Sequence, residues 1–371
     1  MKKILAVLLS LMLIGAASGC SSQKNESNAA ADAANDTTAA QETSAAAPGV
    51  TAAAADPALP KGMEETIQLH GFEGVIYATE NGKPVASYAK GTLENGTEIT
   101  LDSPLPIGSV SKQFCAAAIL LLQEQGKLSV SDTLDKYFPD YAQGKSLTLH
   151  NLLSMRSGIP ELTEESGSDV TMENTEAQNV AAIKKWVSSQ PLTFEPDEMF
   201  AYCNVNYFLL ADIVEQVSGQ KYTDFLRGSF FTPLGMTHSG FIGELPDSPA
   251  WAQGNIYQQV DAQPGLTKGA GDIISNAADL TAWLNALSGG KVISAESYKA
   301  MTTDYSPETC YGYGLYLELE GGVGHYGAIQ IYSAFDYVNT EKKTTLVALC
   351  NSIDPPMISG VAGDLLTDLM G

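Results

Sequence analysis

The sequence predicts an α/β domain in which strands from both ends of the chain enclose a largely helical middle. Three observations carry that expectation. Gly74-Val-Ile-Tyr-Ala-Thr and Pro84-Val-Ala-Ser-Tyr-Ala flank Asn81-Gly82, a pair suited to a tight hairpin because both positions accept positive φ. From Ser109 onward the apolar residues recur at helical spacing. Near the C-terminus the pattern returns to strands.

The elements follow in order. A long helix is expected after Ser109, with Phe114, Ala117, Ala118, Leu121 and Leu122 on its apolar face and an end near Gly126. Asn206 to Val217 carries Phe208, Leu209, Ile213 and Val214 at helical spacing and stops at Gly219. Another helix should begin after Ser275, with Asp279 in its first turn, where a negative charge meets the positive end of the dipole. Tyr313-Gly-Leu-Tyr-Leu, Ala328-Ile-Gln-Ile-Tyr and Thr344-Thr-Leu-Val-Ala-Leu are candidate strands, and an apolar helix over Ile358 to Leu369 closes the chain.

Composition bounds the function. Acidic side chains outnumber basic ones 43 to 20, for a formal charge of −23 over 371 residues. Such a polyanion repels phosphate backbones, so nucleic acid is not an expected partner. Lys2 and Lys3, the apolar run Ile4 to Ile14, and Ala17-Ser-Gly-Cys20 are similar to a bacterial lipoprotein signal. Lipidation of Cys20, and an extracytoplasmic domain held at the membrane by that anchor, are therefore expected. Residues 21–60 are mostly Ala, Ser, Asn and Thr, too poor in large apolar side chains to form a core, and read as a tether. The domain then runs from 61 to 371. Outside the cytoplasm Cys115, Cys203, Cys310 and Cys350 could pair in three ways or stay as buried thiols. No CxxC, HExxH or G-x-S-x-G occurs, and no metal or cofactor is expected.

Acyl transfer by a serine needs a nucleophile, a base and donors for the oxyanion. Ser109-Val-Ser-Lys112 supplies the first two, because residues three apart share a helix face. S-x-x-K occurs five times, starting at Ser21, Ser87, Ser109, Ser218 and Ser288, but only the copy at Ser109 opens a long apolar helix. Tyr202-Cys-Asn204 places a phenol and an amide just before a helix, and a neighbouring ammonium would favour the phenolate. His325-Tyr-Gly327 stands at the start of a candidate strand, where His325 could offer a donor to substrate and Gly327 a close backbone approach. Tyr337-Val-Asn339 and His238-Ser-Gly240 repeat the last two spellings, while His70, His150 and His238 read as structural.

Taken in chain order, S-x-x-K, Y-x-N and H-x-G resemble the motifs of class C β-lactamases, DD-peptidases and related esterases. Leu105-Pro-Ile-Gly-Ser-Val-Ser-Lys-Gln-Phe, Leu152-Leu-Ser-Met-Arg-Ser-Gly-Ile-Pro, Phe230-Phe-Thr-Pro-Leu-Gly-Met and Gly269-Ala-Gly-Asp-Ile-Ile-Ser-Asn-Ala-Ala-Asp-Leu are similar to recurring blocks of the same family. The resemblance implies a five-stranded antiparallel sheet flanked by helices, with an all-helical lobe beside the cleft. It implies Ser109 as the acylated nucleophile, Lys112 as its proton partner and Tyr202 as general base. Asn204 would bond both substrate and Lys112, and the backbone N–H groups of Ser109 and Ala328 would form the oxyanion hole. Cell-wall D-amino-acid peptides, β-lactams or small amides and esters are the implied substrates; a weakly catalytic surface binding protein is the alternative. Two departures matter. Tyr326 replaces the family's Thr or Ser and His325 its Lys, which weakens carboxylate recognition. Glu195-Pro-Asp197 stands where Pro-Gly is common, and Asp197 reads as a loop-solvating acid.

Overall fold

In the computed structural model, residues 57, 59–93, 96–163, 169–171, 173–242, 265–351 and 358–370 are described. Cys20 and nearly all of the expected tether lie outside them. The Asn81-Gly82 hairpin forms as its chemistry requires: Asn81 has φ 51° and Gly82 φ 73°, joining strand β1 (Gly74–Glu80) to β2 (Lys83–Lys90). Helix α1 (Lys61–His70) precedes them. A two-residue strand β3 (Leu105–Pro106) leads through a single 3-10 turn, Gly108–Val110, into α2 (Ser111–Glu124).

The middle is helical. It comprises α3 (Leu149–Leu153), α4 (Glu176–Ser189), α5 (Asn204–Ser218), α6 (Tyr222–Leu226) and the short α7 (Thr232–Leu234). Gly219, at φ 72°, ends α5 as expected. Strands β4 (Gly240–Phe241) and β5 (Ile273–Ser275) join β3 in a small antiparallel sheet, ordered β3-β5-β4. Helix α8 (Ala277–Ser288) starts behind Asn276, whose side chain caps the Asp279 N–H, and α9 (Ala295–Met301) follows.

The C-terminal segment supplies β6 (Tyr316–Leu319), β7 (Gly322–Ile329), β8 (Tyr332–Asn339), β9 (Thr344–Cys350) and helix α10 (Ile358–Met370). The main sheet is antiparallel throughout, in the order β2-β1-β9-β8-β7-β6. It has the antiparallel form implied by the family resemblance, with one short edge strand, β6, beyond five. The two ends of the chain meet where β1 pairs with β9, Gly74 opposite Cys350.

Successive strand residues face opposite sides, and both sides are covered. Ile76, Leu346 and Ala348 pack under α1 and α10 with Met63, Val361 and Leu365. Val75, Val347 and Leu349 join the larger core with Phe114 of α2 and Trp283 of α8, whose rings stack 3.8 Å apart. Burial on both faces explains why Leu346 to Cys350 of β9 reads as an unbroken apolar run.

Two expectations shift. Ala328 to Tyr332 is not one strand: β7 ends at Ile329, Gln330 turns at φ 51°, and β8 begins at Tyr332. The turn lacks a Gly, Asn or Pro marker, while its apolar alternation imitates a strand. His325 therefore lies inside β7 and not at a strand's start. The candidate at Tyr313 also begins late, at Tyr316.

Candidate active site

Ser109 sits in the turn that delivers the chain into α2, at the helix's N-terminal end and 8% exposed. The turn is pressed against β7 by two glycines. Gly108 has φ 50°, and a Cβ on it would lie 2.7 Å from the Ala328 nitrogen. A Cβ on Gly327 would meet the Ile107 carbonyl oxygen at 1.9 Å and the Ser109 nitrogen at 3.1 Å. Side chains there would force the segments apart. With glycine at both positions the main-chain nitrogens of Ser109 and Ala328 become neighbours, the juxtaposition an oxyanion hole requires.

Lys112, in the first turn of α2, is fully buried. Its Nζ lies 3.0 Å from Ser109 Oγ, 2.8 Å from Asn204 Oδ1 and 2.8 Å from the Ala270 carbonyl oxygen. Helices α2 and α5 and the Gly269-Ala-Gly block thus meet at one amine. Burial disfavours the ammonium and brings the Lys112 pKa down to about 7, although Glu161 and more distant acids pull it upward. A neutral amine has two N–H donors and one lone pair. With Asn204 and Ala270 accepting, the lone pair is left for the Ser109 hydroxyl.

Tyr202 completes the group from the residue before Cys203. Lys112 Nζ stands 4.8 Å from the centre of its ring, over the aromatic face and not at the oxygen. The phenol oxygen is buried and closes no hydrogen bond of normal geometry among the described residues. Burial, then the Tyr316 phenol, raise its pKa well above the tyrosine range; the nearby Ser109 hydroxyl only moderates this. The expected ammonium-stabilised phenolate meets the opposite balance here, because the ammonium faces the ring and desolvation dominates.

His325 is 1% exposed and both its ring nitrogens are engaged. Nδ1 lies 2.5 Å from the Tyr326 carbonyl oxygen and must donate to it; Nε2, 3.1 Å from the Tyr311 hydroxyl, then accepts. Burial and the Lys112 charge bring its pKa down to about 3, so the ring is neutral. It packs 6.2 Å from the Tyr202 ring but offers substrate no spare N–H in this arrangement. Of the expected residues, Ser109, Lys112, Tyr202, Asn204, Gly327 and Ala328 converge, while His325 stands behind them.

The decoys resolve by position. Ser87 lies in β2, Ser218 and Ser288 end helices, Tyr337 and Asn339 lie within β8, and Ser21 is outside the described residues. His70 bonds Asp364, His150 bonds the Tyr313 hydroxyl, and the His238 backbone N–H donates to Asp279. Asp197 is exposed at φ 66°, a conformation Asp tolerates better than most residues, and accepts from Asn151 at 2.8 Å. That fits the loop reading and explains why glycine is common there. Cys115 and Cys203 are buried thiols, each beside a backbone carbonyl.

Sequence reasoning missed Glu161. It follows Ser157-Gly-Ile-Pro160, one residue beyond the block that carried the resemblance. Its carboxylate accepts the backbone N–H groups of Asn204 and, at 3.1 Å, Leu162. Burial holds its pKa above the usual range. With Ser109 and Asn204 it lines a small cleft whose other walls include Leu162, Ile183, Val205 and Phe208.

The family profile described as Beta-lactamase matches residues 60–367. PbpX of Bacillus subtilis (strain 168) is 32% identical over 296 residues, which cover 76% of this chain and 71% of PbpX. Protein flp of Staphylococcus aureus (strain COL) is 27% identical, and the match spans 61% of its length. Among solved structures, the octameric penicillin-binding protein homologue from Pyrococcus abyssi superposes with TM-score 0.68 at 27% identity, covering 83% of this chain and 76% of that one. The D-amino acid amidase from Ochrobactrum anthropi SV3 complexed with L-phenylalanine amide gives TM-score 0.68 at 21% identity, over 83% and 97%; that likeness concerns the fold.

Proposed function

Because the chain belongs to the Beta-lactamase family, we propose that it is a serine hydrolase working through an acyl-enzyme on Ser109. The observation that carries this is the Lys112 amine, 3.0 Å from Ser109 Oγ, with a pKa near 7. Near neutral pH a sizeable fraction of the amine is unprotonated and already paired with the hydroxyl it would deprotonate.

Ser109 Oγ forms a bond to the substrate carbonyl carbon as its proton passes to Lys112. The tetrahedral oxyanion is held by the N–H groups of Ser109 and Ala328. When the carbon–leaving-group bond breaks, the leaving group takes a proton from the Tyr202 phenol, and the Lys112 ammonium, which faces the ring and not the oxygen, returns one to the phenolate by way of a water. A water then attacks the ester on Ser109, giving a proton to Lys112; as the bond between Ser109 Oγ and the acyl carbon breaks, Lys112 returns that proton to the serine oxygen 3.0 Å away and the acid is released. This assigns the base to Lys112 and the donor role to Tyr202, since Tyr202 holds its proton more tightly than an ordinary tyrosine. Asn204 orients the amine and can use its side-chain N–H groups on substrate.

The site suits small amides and esters. Neutral His325, with Tyr326 in place of a hydroxyl-bearing Thr or Ser, gives little purchase on a substrate carboxylate. β-Lactams and D-amino-acid cell-wall peptides therefore rank below uncharged acyl donors. We place the domain outside the cytoplasm on a lipid anchor at Cys20. Cys20→Ala should move the full chain from the membrane to the soluble fraction of its host cell; unchanged fractionation would remove the anchor.

Mass spectrometry of the intact chain after a fluorophosphonate should give one adduct, mapped to Ser109. A folded chain that stays unmodified there would leave the alternative, a surface binding protein, which the engaged nitrogens of His325 favour.

A further inference from the structure

We propose that Glu161 is a specificity determinant that receives an ammonium group on the acyl portion of the substrate, with the adjoining apolar walls taking that substrate's side chain. The proposal rests on the acyl-enzyme reading above.

Among the described residues lining the cleft beside Ser109, one side chain is ionisable, and it is an acid. Glu161 is fixed by the N–H groups of Asn204 and Leu162, so its position relative to Asn204, and through it to Lys112 and Ser109, is set. Those two bonds leave acceptor sites on a carboxylate unused. Leu162, Ile183, Val205 and Phe208 form an apolar surface around it. Such a surface raises the cost of an unneutralised charge and strengthens a charge pair formed there. The chemistry that completes this cleft is a cation carried next to an apolar group.

Groups that could instead attract an anion are already committed. Lys112 spends its contacts on Ser109, Asn204 and Ala270. Lys268 is 5% exposed and lies 2.6 Å from Glu215; Lys184 is 2.9 Å from Asp212. Arg156 is held by Glu308 and Asp197. His325 is neutral, with both nitrogens engaged. The segments outside the described residues between positions 94 and 357 contain no lysine or arginine. The net charge of −23 adds a field that draws cations and repels anions.

The test compares phenylalanine p-nitroanilide bearing a free amine with its N-acetyl and N-succinyl forms, in both enantiomers, using the full chain. p-Nitrophenyl butyrate serves as an uncharged control. Wild-type kcat/KM should favour the free amine over the N-acetyl form by about tenfold to a hundredfold, the range for a hydrogen bond to a charged group. The N-succinyl form should be poorest. Glu161→Gln should bring the free-amine to N-acetyl ratio close to one, whatever its effect on the absolute rate of butyrate hydrolysis. A wild-type ratio at or below one, or a ratio unchanged in Glu161→Gln, overturns the proposal and leaves the hydrolase reading standing.

If Glu161→Gln also loses butyrate hydrolysis, the unaltered chain decides. Phenethylammonium should then slow fluorophosphonate labelling of Ser109 in wild type, and 3-phenylpropionate should not. Equal protection, or none, overturns the proposal. Failure of every ester, amide and phosphonate to modify Ser109 removes the hydrolase reading itself, and the proposal with it.

Discussion

A lysine amine inside a protein loses hydration that favours its charge, and at Lys112 the pull of Glu161 and other neighbouring acids only partly restores the balance. That places its titration near 7, where a base is most useful at neutral pH. Tyr202 is displaced the other way, so the two groups divide the proton work. Tyr202→Phe should lower kcat by about a hundredfold or more on amides, whose leaving group needs a proton, and much less on p-nitrophenyl esters, whose leaving group does not. Steady-state kinetics on both substrate types checks this, and equal losses would contradict the donor role. Asp197 shows the same dependence on surroundings: its unusual φ is tolerated because Asn151 and Arg156 hold it, not because it does chemistry.

The decisive element contact joins the Gly108–Val110 turn to β7. Gly327→Ala would drive a methyl group into the Ile107 carbonyl and move the Ala328 N–H away from the Ser109 N–H. It should abolish ester turnover and lower the unfolding midpoint, read by paired kinetics and thermal melts; undiminished turnover would exclude this oxyanion hole. The serine helix, the hairpin and the end of α5 were legible because local chemistry marks them: paired turn residues, helical spacing, a terminal glycine. Strand β7 was not. Gly322, Gly324 and Gly327 dilute its strand signal, and each glycine is there for a close neighbour distant in sequence. Glu161 was hidden for a related reason. An acid after a proline looks like any loop acid until Asn204 and the apolar walls fold over it.

Across the whole molecule, the sheet and its two helical covers hold two acids in unusual states. Burial raises both Asp272 and Asp336 from 3.8 to about 7. Asp336 ties the halves of the site together, its Oδ1 accepting from the His325 N–H at 2.9 Å and from Gln113 Nε2 at 2.6 Å. Between pH 3.8 and about 7 the folded chain keeps protons that the unfolded chain has released. The contribution of these acids to stability is therefore full at the low end and falls as pH rises. Asp336→Asn keeps an acceptor and removes the titration. Urea midpoints should show the variant gaining on wild type from pH 4.5 to 7.5; a constant difference would contradict the buried, protonated acid.

The account rests on a lysine that is already a base when the substrate arrives. The second-order rate of Ser109 phosphonylation, followed against pH in the wild-type chain, tests it most directly. The rate should climb through an ionisation near 7 and level off above it. A rate that first climbs near 10, where an ordinary lysine or tyrosine titrates, or one that ignores pH, would contradict it.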